Sequence, residues 1–127
     1  MIIVTEPLNL ERRAAVWEAL SELFLGKELQ DYDYAAIAET LRASGYSLDE
    51  LEKVLREEVA PVFRSNLSLL AVPEMEGWAQ EAVVKEIQAY LERERTSLSR
   101  MLARLVTSRT LPEVAIKRWL KIRSLLS

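Results

Sequence analysis

Apolar residues recur along the chain at three- and four-residue intervals, the period of a helix that buries one face. Val16, Trp17, Leu20, Leu23 and Phe24 form a wide stripe between Leu10 and about Leu25, with Asn9 placed to cap the start and Gly26 to end it. A second helix is expected from about Asp33 to Ala43, with Tyr34, Ile37 and Leu41 on one face and a stop at Ser44-Gly45. The third has the clearest start. Ser47 with Glu50 three residues on spells a capping box, Leu48, Leu51, Leu55 and Val59 share a face, and Pro61 is expected to close it.

From Val62 to Pro73 the pattern is apolar and irregular, with room for a turn of helix near Ser65-Asn66. A long helix from about Glu76 to Glu92 follows, marked by Ala79, Val83, Ile87 and Tyr90 or Leu91. Leu98, Met101, Leu102 and Leu105 predict another, ending near Ser108. Thr110 and Glu113 form a second capping box with Pro112 in the first turn, opening a last helix through Trp119, Ile122 and Leu126. Alternation of the strand kind is confined to Ile2-Ile3-Val4, a short extended segment. The expected architecture is all-α: one domain over residues 1–127, about six helices joined by short loops around a Leu- and Trp-rich core.

Composition narrows the chemistry. At 127 residues and half hydrophobic, the chain can bury a core without metal or disulfide. It has no Cys, which removes disulfides, zinc-thiolate sites, iron–sulfur clusters and cysteine nucleophiles. It has no His either, so Ser-His-Asp triads, HExxH zinc sites and Glu-x-x-His di-iron centres are excluded. No Gly-rich phosphate loop and no Ser-x-x-Lys occurs. The expectation is a chain without cofactor or metal that is not an enzyme. The opening Met1 to Pro7 lacks a basic secretory leader, and no apolar run reaches the roughly 18–20 residues of a membrane span, so a cytoplasmic location is expected.

Charge divides the chain. Residues 1–92 carry 18 acidic against 8 basic side chains, a net of −10, whereas residues 93–127 carry 9 basic against 2 acidic, a net of +7. Such asymmetry bears on partners and solubility rather than on fold. Its plainest reading is a basic C-terminal pair of helices packed on an acidic body.

The stretch Gln30-Asp31-Tyr32-Asp33-Tyr34 concentrates two carboxylates and two phenols. A calcium loop starting at Asp31 would need glycine at its sixth position and Glu at its twelfth, where Ala36 and Arg42 stand, so that reading fails. Asp33 as a helix cap and Tyr34 as a core residue account for half of the motif. Asp31 and Tyr32 are left on the loop as contact residues, since a tyrosine there offers area at low entropy cost.

Residues 34–58 also imitate a DNA-reading pair of helices. The second helix, however, carries Asp49, Glu50, Glu52, Glu57 and Glu58 against Lys53 and Arg56 and would be repelled by phosphates. No nucleic acid is expected as a partner. A basic protein surface would fit the same face. Lys117 to Arg123 is basic and amphipathic, but Ala115, Trp119, Ile122 and Leu126 share one side, the pattern of a terminal core helix rather than a membrane-surface segment. Arg12-Arg13, Arg93 and Arg95 read as partners in surface ion pairs.

Ala15-Val16-Trp17-Glu18-Ala19-Leu20-Ser21-Glu22-Leu23-Phe24-Leu25, then Asp31-Tyr32-Asp33-Tyr34, Ser44-Gly45-Tyr46-Ser47-Leu48-Asp49-Glu50-Leu51 and Glu58-Val59-Ala60-Pro61-Val62-Phe63 with Asn66-Leu67 resemble an uncharacterised family of small bacterial all-helical proteins, a domain of unknown function. The resemblance spans about residues 10–92 and leaves the basic end from Arg93 outside it, as an addition. It implies no catalytic residue. In general character such chains are similar to immunity proteins, which neutralise a toxin by docking. The expected function is therefore a protein-binding module of that type, with a basic toxin as partner and contacts from Asp31, Tyr32, Asp33, Tyr46, Asp49, Glu57 and Glu58. The alternative is an oligomerising adaptor whose basic C-terminal helices meet the acidic body of another copy.

Overall fold

The structure, a computed structural model, describes residues 7–63, 80–96 and 111–127. Every element among them is helical, and the all-α expectation holds, with five helices among the described residues. The predicted extended segment at Ile2-Ile3-Val4, the turn near Ser65-Asn66, the start at Glu76 and the helix through Leu98 to Leu105 lie outside the described residues.

Helix α1 runs Pro7–Ser21. Pro7 takes the first helical position, where a missing N–H costs nothing, so Asn9 lies within the first turn rather than capping it. The helix tightens into a 3-10 turn, Glu22–Phe24, and the chain turns extended at Leu25, before Gly26 is reached. Helix α2 spans Asp31–Ser44, two residues earlier at its start than the sequence pattern suggests. Gln30 is its cap, and Asp33, three residues on, accepts a hydrogen bond from the Gln30 N–H at 2.8 Å. Gly45 ends it at φ +80°, a left-handed conformation that glycine adopts without the Cβ penalty.

Helix α3, Leu48–Val54, starts on the expected box: the Glu50 N–H donates to the Ser47 hydroxyl and the Ser47 N–H to the Glu50 carboxylate. It then widens into a π turn, Leu55–Val59, and continues helically through residues 60–63. Pro61 therefore does not close it. Proline in a regular helix would press on the carbonyl four residues back, that of Glu57; the widened turn lies there, and the Ala60 N–H reaches back five residues to Leu55. Helix α4 is Gln80–Thr96 and α5 is Glu113–Leu126. The cap of α5 is Pro112, in extended conformation, which makes Glu113 the first helical residue and not the third position of a Thr110 box.

Helix α1 packs on α2 and α4, α2 also on α5, and the π turn on α1. Helices α1 and α2 run antiparallel, since Arg12 near the start of α1 reaches the Ser44 carbonyl at the end of α2. Trp17, Leu20, Leu23, Phe24, Ile37, Leu41, Leu51, Leu55, Val59, Val83 and Ile87 form one continuous core with Ala115, Trp119 and Ile122 of α5. The basic C-terminal helix thus belongs to the body and covers part of its hydrophobic centre. No helix among the described residues is long and apolar enough to cross a membrane.

Candidate partner-binding surface

Of the seven residues expected to contact a partner, the start of α2 places three. Asp31 is almost fully solvent-exposed, its side chain at 97%, and meets Lys121 of α5 at 3.3 Å. Tyr32 is 73% exposed, the most exposed large hydrophobic side chain among the described residues. Asp33 is turned back to the Gln30 N–H. The capping contact that Asp33 makes fixes the first turn, and Tyr34 is half-buried against the core with Lys121 4.6 Å from its ring centroid. Tyr32 therefore projects from a turn held on both sides.

The other four lie elsewhere. Tyr46 sits just past the far end of α2, a helix of 14 residues and so about 21 Å from Asp31 along the axis. The Arg12 guanidinium lies 4.2 Å from its ring centroid and that of Arg13 5.4 Å. Asp49 is exposed in the first turn of α3, and Glu57 is half-buried in the π turn. Glu58 is an internal anchor. Its carboxylate accepts from Arg13 at 3.0 and 3.2 Å and from the buried Trp17 indole at 2.8 Å. The seven do not form one acidic patch.

Sequence reasoning missed a counterpart to this anchor. The other core tryptophan, Trp119, donates to Glu52 at 3.3 Å, and Glu52 also accepts from Arg56 at 3.0 Å and faces Arg123 at 3.8 Å. Burial pushes the Glu52 carboxyl up, but the hydrogen bonds from Arg56 and Trp119 and the charges of Arg56 and Arg123 outweigh it and hold it below the usual carboxylate range. Both core tryptophans among the described residues are therefore satisfied by carboxylates of the same helical segment. Two acidic residues that look like surface charge in the sequence serve the interior.

Between α1 and α2 an open cleft of about 280 Å³ is lined by Ala15, Glu18, Ala19, Glu22, Ala36, Ile37 and Thr40. Small side chains at Ala15, Ala19 and Ala36 leave the space, and two carboxylates one helical turn apart give it its charge. Glu18 accepts from the Gln80 amide at 2.9 Å. Burial, then the neighbouring charges of Asp33 and Glu18, push the Glu22 carboxyl up, against a smaller opposing pull from Lys27. No group of three or more acidic side chains among the described residues is arranged to hold a metal ion.

The chain belongs to the family described as Domain of unknown function (DUF7079), which covers residues 11–125. The match includes the basic end, so the segment from Arg93 is part of the family's domain rather than an addition to it. No curated protein and no solved structure matches the chain.

Proposed function

We propose that this chain is a non-catalytic protein-binding module, most concretely an immunity-type protein that neutralises a bacterial toxin in the cytoplasm by direct docking. The observation that carries the reading is Tyr32, 73% exposed beside the almost fully exposed Asp31 on a first turn locked by its capping contact. A rigidly presented tyrosine flanked by carboxylate is the kind of anchor that binding energy concentrates on. The net −10 of residues 1–92 would steer a basic partner towards it. The absence of His and Cys from the whole sequence supports docking over chemistry.

The test is protection. The chain is coexpressed with a toxin encoded beside its gene, as wild type and as a variant carrying Tyr32→Ala and Asp31→Lys. Rescue by the wild type and failure by an equally stable variant is the expected result. Equal rescue by both removes the contact from the start of α2, and no rescue by the wild type sinks the immunity reading.

A further inference from the structure

Apart from Tyr32, every exposed large hydrophobic side chain among the described residues lies on α5: Val114, Ile116, Leu120 and Leu125. Ala115, Trp119 and Ile122 fill the buried side of that helix; by helical position Val114 and Leu125 flank it on one edge and Ile116 and Leu120 on the other, and Lys117 and Lys121 lie on the outward side between the two edges. Ile116 and Leu120 stand one turn apart, at 37% and 54% exposure, each followed by a lysine, Lys117 and Lys121.

The α1–α2 cleft has the complementary pattern. Ala15 and Ala19 stand one turn apart, and beside them Glu18 and Glu22 stand one turn apart. Both helices repeat their pair at about 6 Å. One offers large apolar groups with cations and the other small apolar groups with anions. The lysines are not fully engaged at home. Lys117 is 76% exposed and 4.0 Å from Glu113, and Lys121 is half-exposed in its contact with Asp31. The Glu22 carboxylate has no hydrogen bond or ion pair with any described residue, its backbone carbonyl alone accepting from the Leu25 N–H, and exposed pairs such as those of the lysines exchange at little cost.

We propose that the outer face of α5 docks in the α1–α2 cleft of a second copy of the chain, with Ile116 and Leu120 against Ala15 and Ala19, and Lys117 and Lys121 beside Glu18 and Glu22. Used reciprocally about a two-fold axis, the contact closes a dimer; used head to tail, it extends. Pairing of α5 with itself would oppose like charges. An anionic lipid surface would attract the lysines but repel the acidic body, whereas a second copy supplies that body as the complement. The inference is independent of the toxin reading, since it uses neither Tyr32 nor any partner.

Light scattering on the eluting full-length chain, at low and high salt, tests it. The expected result is at least twice the monomer mass at low salt, falling towards the monomer as salt rises. Leu120→Asp is expected to be monomeric with an unchanged melting temperature. Lys117→Glu with Lys121→Glu, and Glu18→Lys with Glu22→Lys, are each expected to be monomeric alone and to associate when mixed. A wild type that stays monomeric at its highest soluble concentration overturns the proposal, including one that sediments with anionic vesicles through Leu120. So does an oligomer that survives Leu120→Asp or the charge reversals. If the cleft double variant fails to fold, Leu120→Asp and Lys117→Glu, both at exposed sites, decide the question.

Discussion

Glu58 holds Arg13 and Trp17 together: one carboxylate oxygen accepts the indole N–H at 2.8 Å and the other the guanidinium at 3.0 Å. The pair is only partly exposed, the side chains at 25% and 18%, so it is less screened than a surface bridge. Removing the acceptor strands an indole N–H inside the core and a half-buried cation beside it. Glu58→Ala is expected to destabilise the fold by about 2–3 kcal/mol, the scale of hydrogen bonds to a charged group. Glu58→Gln, which keeps an acceptor for Trp17, is expected to cost less. Urea denaturation followed by tryptophan fluorescence measures both, and equal losses would show that the indole contact contributes nothing.

Glu22 makes the chain less stable at neutral pH than it could be. Its carboxyl is pushed up by burial and then by Asp33 and Glu18, so between the unfolded and folded pKa the native state binds more protons than the unfolded one. Stability from this group therefore falls as pH rises through that window and stays lowered above it. Glu22→Gln is expected to raise the melting temperature at pH 7 and to make no difference below the unfolded pKa of about 4. Glu52 has the opposite sign. Its lowered carboxyl contributes stability above the unfolded value that is lost as pH falls through the folded one, so Glu52→Gln is expected to destabilise most near neutrality. Thermal melts at pH 3 and pH 7 separate the two; the same pH trend in both variants would contradict the assignment.

What the sequence made legible depended on distance along the chain. Ser47 and Glu50 cap each other three residues apart, and the start of α3 could be read directly. In the sequence Asp33 looks like the cap of α2, but the cap is Gln30, not a preferred residue there, completed by Asp33 from the third position. Glu58 reads in the sequence as an exposed partner contact because the residues it binds are 45 and 41 residues away, beyond any local pattern. Pro61 read as a stop because the π turn that accommodates it leaves no trace in composition. Within the candidate surface, Asp31 and Tyr32 stand out in the sequence because a cap at Asp33 accounts for their neighbours, but they lie in the first turn of α2 and not on the loop before it.

Arg118 ties α5 to the end of α1. Its guanidinium donates to the carbonyls of Leu23 at 3.1 Å, Leu25 at 2.9 Å and Lys27 at 2.7 Å, closing the chain where it leaves the 3-10 turn. A planar fork reaches three carbonyls at once, which an ammonium on a flexible stem does not. Arg118→Lys is expected to cost about 1–2 kcal/mol despite keeping the charge. Hydrogen exchange is expected to quicken at residues 23–27 in the variant. Unchanged protection there would show that the loop is held by other contacts.

The turn between α2 and α3 depends on two neighbouring positions for different reasons. Ser47→Ala removes the side-chain acceptor of the Glu50 N–H and is expected to cost about 1 kcal/mol. Gly45→Ala forces a Cβ onto a backbone at φ +80° and sets it 3.3 Å from the Arg12 guanidinium, which itself stacks on Tyr46. Its expected cost is about 1–2 kcal/mol from the left-handed conformation alone. Asn at the same position tolerates that conformation better, so Gly45→Asn is expected to lose less than Gly45→Ala. Chemical denaturation of the three variants orders them. If Gly45→Asn is as damaging as Gly45→Ala, crowding against Arg12 and not backbone strain is the cause.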